Sequence, residues 1–315
     1  MGAPVNAKLI ILFNHEFGQN VPRLRDLYKD RFEGIRYLMP FGEAGQSGVI
    51  PVYANATAFS AHIAQAYGAF KEDGVSHYVF AADDLILHPK LDRTNILSEL
   101  RLTPDSGYIK NLASIEDAFY LWTYNGGVKR SFKSRFDYLR QLPPVDVALQ
   151  RIKAHGLRAP KISIKSLRAW NAPSWKDVLK TPFYLSEWAL SMAKPFPYPL
   201  VFGYADFFVV PAAAMPLFAR LCGLFGAMNL FAEIAIPTAL ALSVARINTE
   251  LRMGDVFQRK SARPAEGQTW SGMELWTPKA VKAFEDSLGL SLSKLAATFP
   301  DKRLYVHPIK LSKWS

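Results

Sequence analysis

The sequence predicts an α/β fold in which helices flank a mostly parallel sheet. Three observations predict it. Short apolar runs alternate with helix-like segments through the first 110 residues. Their β-α-β order suits parallel strands joined by crossovers. Half of the 315 residues are hydrophobic and 13% are aromatic, enough for a substantial core.

The elements follow in order. Residues 8–13 form a short apolar run of the buried-strand kind. Asn20 is placed to cap a helix reaching about residue 32, with Pro22 in its first turn. Gly34 breaks that helix, and 35–39 reads as a second strand. After a loop over 42–48, residues 49–53 form a third. Residues 57–71 carry Phe59, Ile63, Ala66, Tyr67 and Phe70 at helical spacing, with Gly74 just beyond as a terminator. Residues 77–81 form the next strand. Further on, 144–155 is helical and stops at Gly156, 198–210 has strand character, and 211–226 and 229–248 read as two apolar helices. Residues 252–272 are a polar loop, 278–288 and 291–298 are short helices, and 303–307 is a closing strand. The organisation expected is a core over 7–110 and a more helical half over 111–315 that completes the same compact unit.

Composition narrows the setting. A single cysteine, Cys222, cannot form an internal disulfide, which fits a reducing, cytoplasmic compartment. The N-terminal apolar run is too short for a signal peptide. The most apolar region, 188–245, is cut from Asp206 onward by Arg220, Glu233 and Arg246 into charge-free runs of about 12 or 13 residues. A bilayer span needs roughly 20, so peripheral contact at the inner membrane face is the closest membrane association expected. The net charge is +11, and it is concentrated: between residues 128 and 180, 13 Lys and Arg stand against 3 Asp. Such a segment suits a nucleotide diphosphate, an acidic glycan or an anionic membrane surface, or is simply solvated. No zinc-finger spacing or RNP-type aromatic motif points to nucleic acid.

The main chemical signal is His77-Tyr-Val-Phe-Ala-Ala-Asp-Asp-Leu-Ile-Leu-His-Pro89. An apolar strand delivers Asp83 and Asp84 to the carboxyl edge of a parallel sheet, where ligands of open α/β folds bind. The adjacent carboxylates repel one another, and a divalent cation offsets that repulsion. The plainer reading is a turn in which Asp83 caps a backbone N–H. Two further stretches carry isolated charged groups. Val201-Phe-Gly-Tyr-Ala-Asp-Phe-Phe-Val-Val-Pro211 contains Asp206, and Asn229-Leu-Phe-Ala-Glu-Ile-Ala-Ile-Pro237 sets Glu233 on an apolar helix. A carboxylate there is costly to bury unless paired, with Arg220 or Arg246 as the available partners, or functional. Leu304-Tyr-Val-His-Pro-Ile-Lys310 brings His307 and Lys310.

The acidic segment resembles the DxD region of GT-A glycosyltransferases, in a variant form with two consecutive acids; Ala82 stands where the first acid of a strict DxD would be. The resemblance implies a GT-A-like, Rossmann-type fold with a helical acceptor-side half. It implies Mn²⁺ or Mg²⁺ on Asp84 and a donor contact from Asp83. It further implies His307 as a late metal ligand, Lys310 on the diphosphate, and Asn14 and His15 against the nucleotide base and ribose. The region around Asp206 and Glu233 is similar to the acceptor half of bacterial polysaccharide glycosyltransferases. There Glu233 would act as base in an inverting enzyme and Asp206 would bind acceptor. The activity implied is transfer of a sugar from a nucleotide sugar to a glycan or lipid-linked acceptor. The alternatives are a sugar nucleotidyltransferase, disfavoured by the missing Gly-rich basic loop after the first strand, and a noncatalytic membrane-peripheral assembly protein.

Overall fold

The computed structural model describes residues 6–43, 45–115, 137–158, 197–256 and 263–315, with a few isolated positions between them. The first part of the chain runs β1 (Ala7–Leu12), α1 (Val21–Tyr28), β2 (Arg36–Pro40), β3 (Val49–Val52), α2 (Phe59–Phe70) and β4 (His77–Ala82). It continues through β5 (Ile86–Leu87), α3 (Ile96–Glu99), β6 (Ser106–Ile109) and β7 (Ala113–Ser114). The remainder comprises α4 (Val145–Ala154), β8 (Val201–Phe202), β9 (Phe207–Pro211), α5 (Met215–Ala227), α6 (Ala232–Ser243) and β10 (Arg246–Thr249). β11 (Ser271–Glu274), α7 (Pro278–Leu288), α8 (Leu292–Ala297) and β12 (Arg303–His307) complete it.

Seven strands form the central sheet in the order β10-β6-β9-β4-β1-β2-β3. Six point the same way; β9 alone runs against its neighbours β4 and β6. The period of two sorts the side chains of each strand onto two faces. Ile10, Leu12, Tyr78, Phe80, Phe208 and Val210 enter one core with α2, α5 and α6. Leu9, Ile11, Val79, Ala81, Phe207 and Val209 enter the other with α1 and α3. Both faces are covered, which is why these strands read as unbroken apolar runs. Phe80 and Phe208 stack across β4 and β9 with centroids 4.8 Å apart. On that face α2 and α5 pack so closely that a Cβ at Gly226 would lie 2.6 Å from Ala61 Cβ.

Three expectations are corrected. Residues 229–248 are not one helix: α6 ends at Ser243, and Arg246–Thr249 is a strand parallel to β6. The run Val244-Ala-Arg-Ile-Asn-Thr249 is half β-branched, with Ile247 and Thr249 on one face, and pairing with β6 settles it as strand. Asn20 does not cap α1. It closes a 3₁₀ turn over Gly18–Asn20, its backbone is already helical, and its side chain makes no capping bond. α1 also stops at Tyr28, earlier than the sequence suggests.

A second, three-stranded sheet has the order β11-β12-β5. β12 therefore closes this small sheet, not the central one. β11 and β12 are parallel, and β12 and β5 antiparallel. Because β5 follows β4 after only a short turn, the small sheet is tied to the carboxyl edge of the large one. Most of the basic stretch 128–180 lies outside the described residues; α4 is the main part described. Among the described residues, no helix is long and apolar enough to cross a membrane.

Candidate functional site

β4 is held between β1 and β9, so its carboxyl end opens at the middle of the sheet edge. The Asp83 N–H donates to the Leu12 carbonyl at 2.9 Å, continuing the β1 ladder. Its buried carboxylate accepts the Asn14 N–H at 3.4 Å. Asp83 thus caps the end of β1, as the plainer reading of the sequence expects, and also faces Asp84. Burial and the neighbouring Asp84 charge push its pKa up to about 7. Asp84 sits where the chain passes from the large sheet to the small one, and its carbonyl accepts the Ile309 N–H at 2.7 Å.

Strand register explains what meets it. In the antiparallel pair, Val306 faces Ile86, so His307 lands beside the turn holding Asp84. In the parallel pair, Glu274 is the direct partner of His307. His307 Nε2 lies 3.2 Å from Asp84 Oδ1, and Nδ1 lies 2.9 Å from Glu274 Oε2. The Asp84 approach has ion-pair distance but not hydrogen-bond direction, so among the described residues this buried Oδ1 accepts no hydrogen bond. Burial opposes a charge on His307. The adjacent Asp84 carboxylate, the bond to Glu274 and the charge of Asp206 outweigh it and raise its pKa to about 10.

Glu274 is the best-supported acid in the region. Its Oε1 accepts Lys110 Nζ at 3.0 Å and the Tyr305 hydroxyl at 2.7 Å. Its Oε2 accepts the Tyr204 hydroxyl at 2.7 Å. Burial alone would raise its pKa, but His307, Lys110 and these hydroxyls bring it down to about 2. The Lys110 ammonium also lies over the Tyr204 ring, 5.1 Å from its centroid. Neither Glu274 nor Lys110 is among the site residues that the sequence reading names. The signal was there in weak form: a charged residue between Met273 and Leu275, and another at the end of the apolar run before Asn111.

The remaining acids come from the chain leading into β9 and from α6. The Asp206 carbonyl accepts the Ala82 N–H at 2.8 Å, fixing Asp206 beside Asp83 along the sheet edge. Burial and the charges of Asp84 and Glu274, against the pull of His307, raise its pKa to about 6. Glu233 stands in the first turn of α6, and its carbonyl accepts the Gly203 N–H at 3.0 Å. Gly203 is wedged there: a Cβ would lie 2.5 Å from the Asn111 carbonyl and 3.2 Å from Pro237. Desolvation and the charges of Asp206 and Glu274 hold the Glu233 pKa well above the usual carboxylate range. The expected arginine partners do not reach it. Arg220 donates to the Gln141 carbonyl at 3.1 Å, and Arg246 is exposed on β10.

Three expected contacts are looser. His15 is exposed at the end of β1 and packs edge-on against Phe17, while Asn14 contributes its backbone N–H to Asp83. Lys310 is exposed, one residue beyond the Ile309 that binds Asp84. The same sheet edge displays two rings absent from the sequence reading. Phe41 and Tyr53 follow β2 and β3, are 65% and 69% exposed, and meet edge-to-face at 6.3 Å. Phe41 holds φ at +56°, an uncommon conformation for a bulky residue, and its N–H donates to the Val52 carbonyl at 2.9 Å.

Among the described residues no three His, Cys, Asp or Glu side chains are arranged to hold a metal by themselves. Asp84 Oδ1 and His307 Nε2 stand 3.2 Å apart, a separation that two neighbouring ligands of one ion at roughly 2.0–2.2 Å each would also have. An apolar hollow lined by Leu27, Ile86, Leu87, Leu292, Leu295 and Phe299 lies behind β5, and none of these acids lines it. Compared with models of known protein families and with curated proteins, the sequence matches none.

Proposed function

We propose that the chain is a GT-A-type glycosyltransferase that moves a sugar from a nucleotide sugar to a hydroxyl of a glycan or lipid-linked glycan. The observation carrying this reading is the row Asp83, Asp84, His307, Asp206 and Glu233 on the carboxyl edge of the sheet. Asp84 and His307 would hold Mn²⁺ or Mg²⁺, with diphosphate oxygens and water completing the shell, as is usual for Mg²⁺. The ion, when bound, stabilises negative charge on the departing diphosphate. To hold the ion, His307 would have to give up the proton on Nε2. Lys310 would meet the diphosphate from the exposed side, and Asp83 and Asn14 would meet the ribose. Phe41 and Tyr53 offer faces on which a base can stack. The acceptor would lie toward α6, where the raised proton affinity of Glu233 suits a group that takes a proton from the acceptor hydroxyl. Asp206 would stand between acceptor and metal and orient the hydroxyl.

A second reading has its own support. His307 retains a proton to about pH 10, so a protonated His307 can itself face the diphosphate, and transfer then needs no metal. Thermal-shift titration with nucleoside diphosphates and nucleotide sugars, with and without Mn²⁺, tests both, since a ligand bound only to the native state raises the melting temperature. The metal reading expects a Mn²⁺-dependent shift that disappears in folded Asp84→Asn. An equal shift without Mn²⁺ favours the second reading, and no shift with any nucleotide removes both.

A further inference from the structure

Between the two sheets lies a buried cluster that the proposed chemistry does not consume: Glu274 and Tyr305 from the small sheet, Lys110 just after β6, and Tyr204 from the chain between β8 and β9. The Glu274 side chain is 4% exposed and that of Lys110 6%. Taking two such charges out of water is expensive, and apolar residues of similar size commonly serve stability as well. What the cluster does is directional. Lys110 and Tyr305 donate to Oε1 and Tyr204 donates to Oε2, so the carboxylate offers only acceptor capacity to its remaining neighbour. That neighbour is His307 Nδ1, at 2.9 Å from Oε2, with the Tyr204 oxygen at 2.7 Å. An acceptor-only partner requires the hydrogen to be on Nδ1. The other ring nitrogen, Nε2, is then turned toward Asp84 Oδ1, the buried oxygen that accepts no hydrogen bond among the described residues.

We infer that Glu274, backed by Lys110, is a positioning residue: it fixes the tautomer and ring orientation of His307 so that Nε2, and not Nδ1, faces the ligand beside Asp84. The inference deepens the metal reading above and rests on it for its consequence, though not for its geometry. An outer carboxylate that takes the far N–H of a ligating histidine sets the ring and raises its donor strength, and losing it typically costs about 10- to 100-fold in metal affinity. The register makes the arrangement a product of the sheet: Glu274 and His307 are direct partners on parallel strands, and Tyr305 lies on the same face as His307 two residues earlier.

Removing Glu274 alone would strand Lys110, so the informative variant is the double Lys110→Met/Glu274→Leu, which keeps volume and removes both charges together. Two readouts are taken on folded protein. The first is the ring N–H of His307 by ¹H–¹⁵N NMR without metal; the second is Mn²⁺ affinity by water-proton relaxation, with Asp84→Asn as control. A hydrogen-bonded Nδ1–H in the wild type that is lost in the double variant, with Mn²⁺ bound 10- to 100-fold more weakly, supports the inference. Tyr204→Phe, which leaves Glu274 in place, should retain the Nδ1–H signal. An unchanged Nδ1–H signal and unchanged Mn²⁺ affinity in the folded double variant overturn the positioning role. If the Nδ1–H signal is lost but Asp84→Asn binds Mn²⁺ as the wild type does, the orienting contact stands and the metal reading falls.

Discussion

Two glutamates, both deep in this protein, have opposite electrostatic fates. Glu274 on β11 is held to about 2, while Glu233 on α6 is pushed well above the usual carboxylate range. Burial acts on both in the same direction. The difference lies in what the chain brings to each. Glu274 meets Lys110, His307 and two tyrosine hydroxyls, all donors. Glu233 meets the fields of Asp206 and Glu274, with His307 the one favourable charge that weighs on it. A buried acid that is fully satisfied is scaffold; one that is left wanting a proton is available for chemistry.

The same substitution at both positions gives the sharpest break. Glu233→Gln should leave the melting temperature nearly unchanged while slowing sugar transfer by roughly 10²–10⁴-fold, the usual contribution of a positioned base. Glu274→Gln should do the reverse in stability: it leaves Lys110 without its counter-charge, and breaking a buried pair costs about 3–5 kcal/mol in a urea titration. If Glu233→Gln melts as early as Glu274→Gln, the contrast between the two regions is wrong.

The pH dependence of stability follows with a definite sign. Asp83 and Asp206 titrate near 7 and 6 when folded against 3.8 unfolded. The folded state therefore binds more protons in that window, and stability declines as pH rises through it. The His307 contribution is complete below 6.5 and is lost as pH rises through about 10. The Glu274 contribution is present above 4.5 and is lost as pH falls toward about 2. Burial lowers the pKa values of His62, His77 and His155, which act the other way below 6.5, so urea midpoints should fall from about pH 6.5 to pH 8; a rising midpoint there contradicts the raised Asp83 and His307. A smaller effect tests the far end of the edge. Tyr53→Ala and Phe41→Ala should each weaken nucleotide binding by about 1–3 kcal/mol, read by calorimetry, with no change in the Glu233 or Glu274 phenotypes.

Much of this was legible in the sequence, for reasons that are local. The first four strands announce themselves as apolar runs because both faces of the sheet are covered, and Asp83 and Asp84 stand out because they interrupt such a run. The helices over Pro278–Leu288 and Leu292–Ala297 carry real capping bonds from Thr277 and Ser291. What was not legible depends on distant partners. Glu274 and Lys110 are 164 positions apart, and nothing near either one in the chain foretells the pairing. Arg220 and Arg246 looked like partners for Glu233 because they flank it in sequence, yet one is spent on a carbonyl and the other points to solvent. The strand at Arg246–Thr249 escaped notice because its apolar lead-in continues the rhythm of α6, and its partner is β6, far upstream.

Gly203 sets a clearance. Its N–H holds the first turn of α6 against the strand pair β7 and β8, and the Asn111 carbonyl occupies the place a methyl group would need. The gap between Glu233 and the sheet edge is therefore gauged by a missing carbon atom, at a position that carries no charge and offers no side chain to a ligand. Gly203→Ala works as a shim: it lifts the helix end and moves the carboxylate while leaving its chemistry untouched. Misplacing a reacting group by about 1 Å can cost on the order of 10²-fold in rate. Reach across this site can thus be adjusted from underneath, by thickness alone.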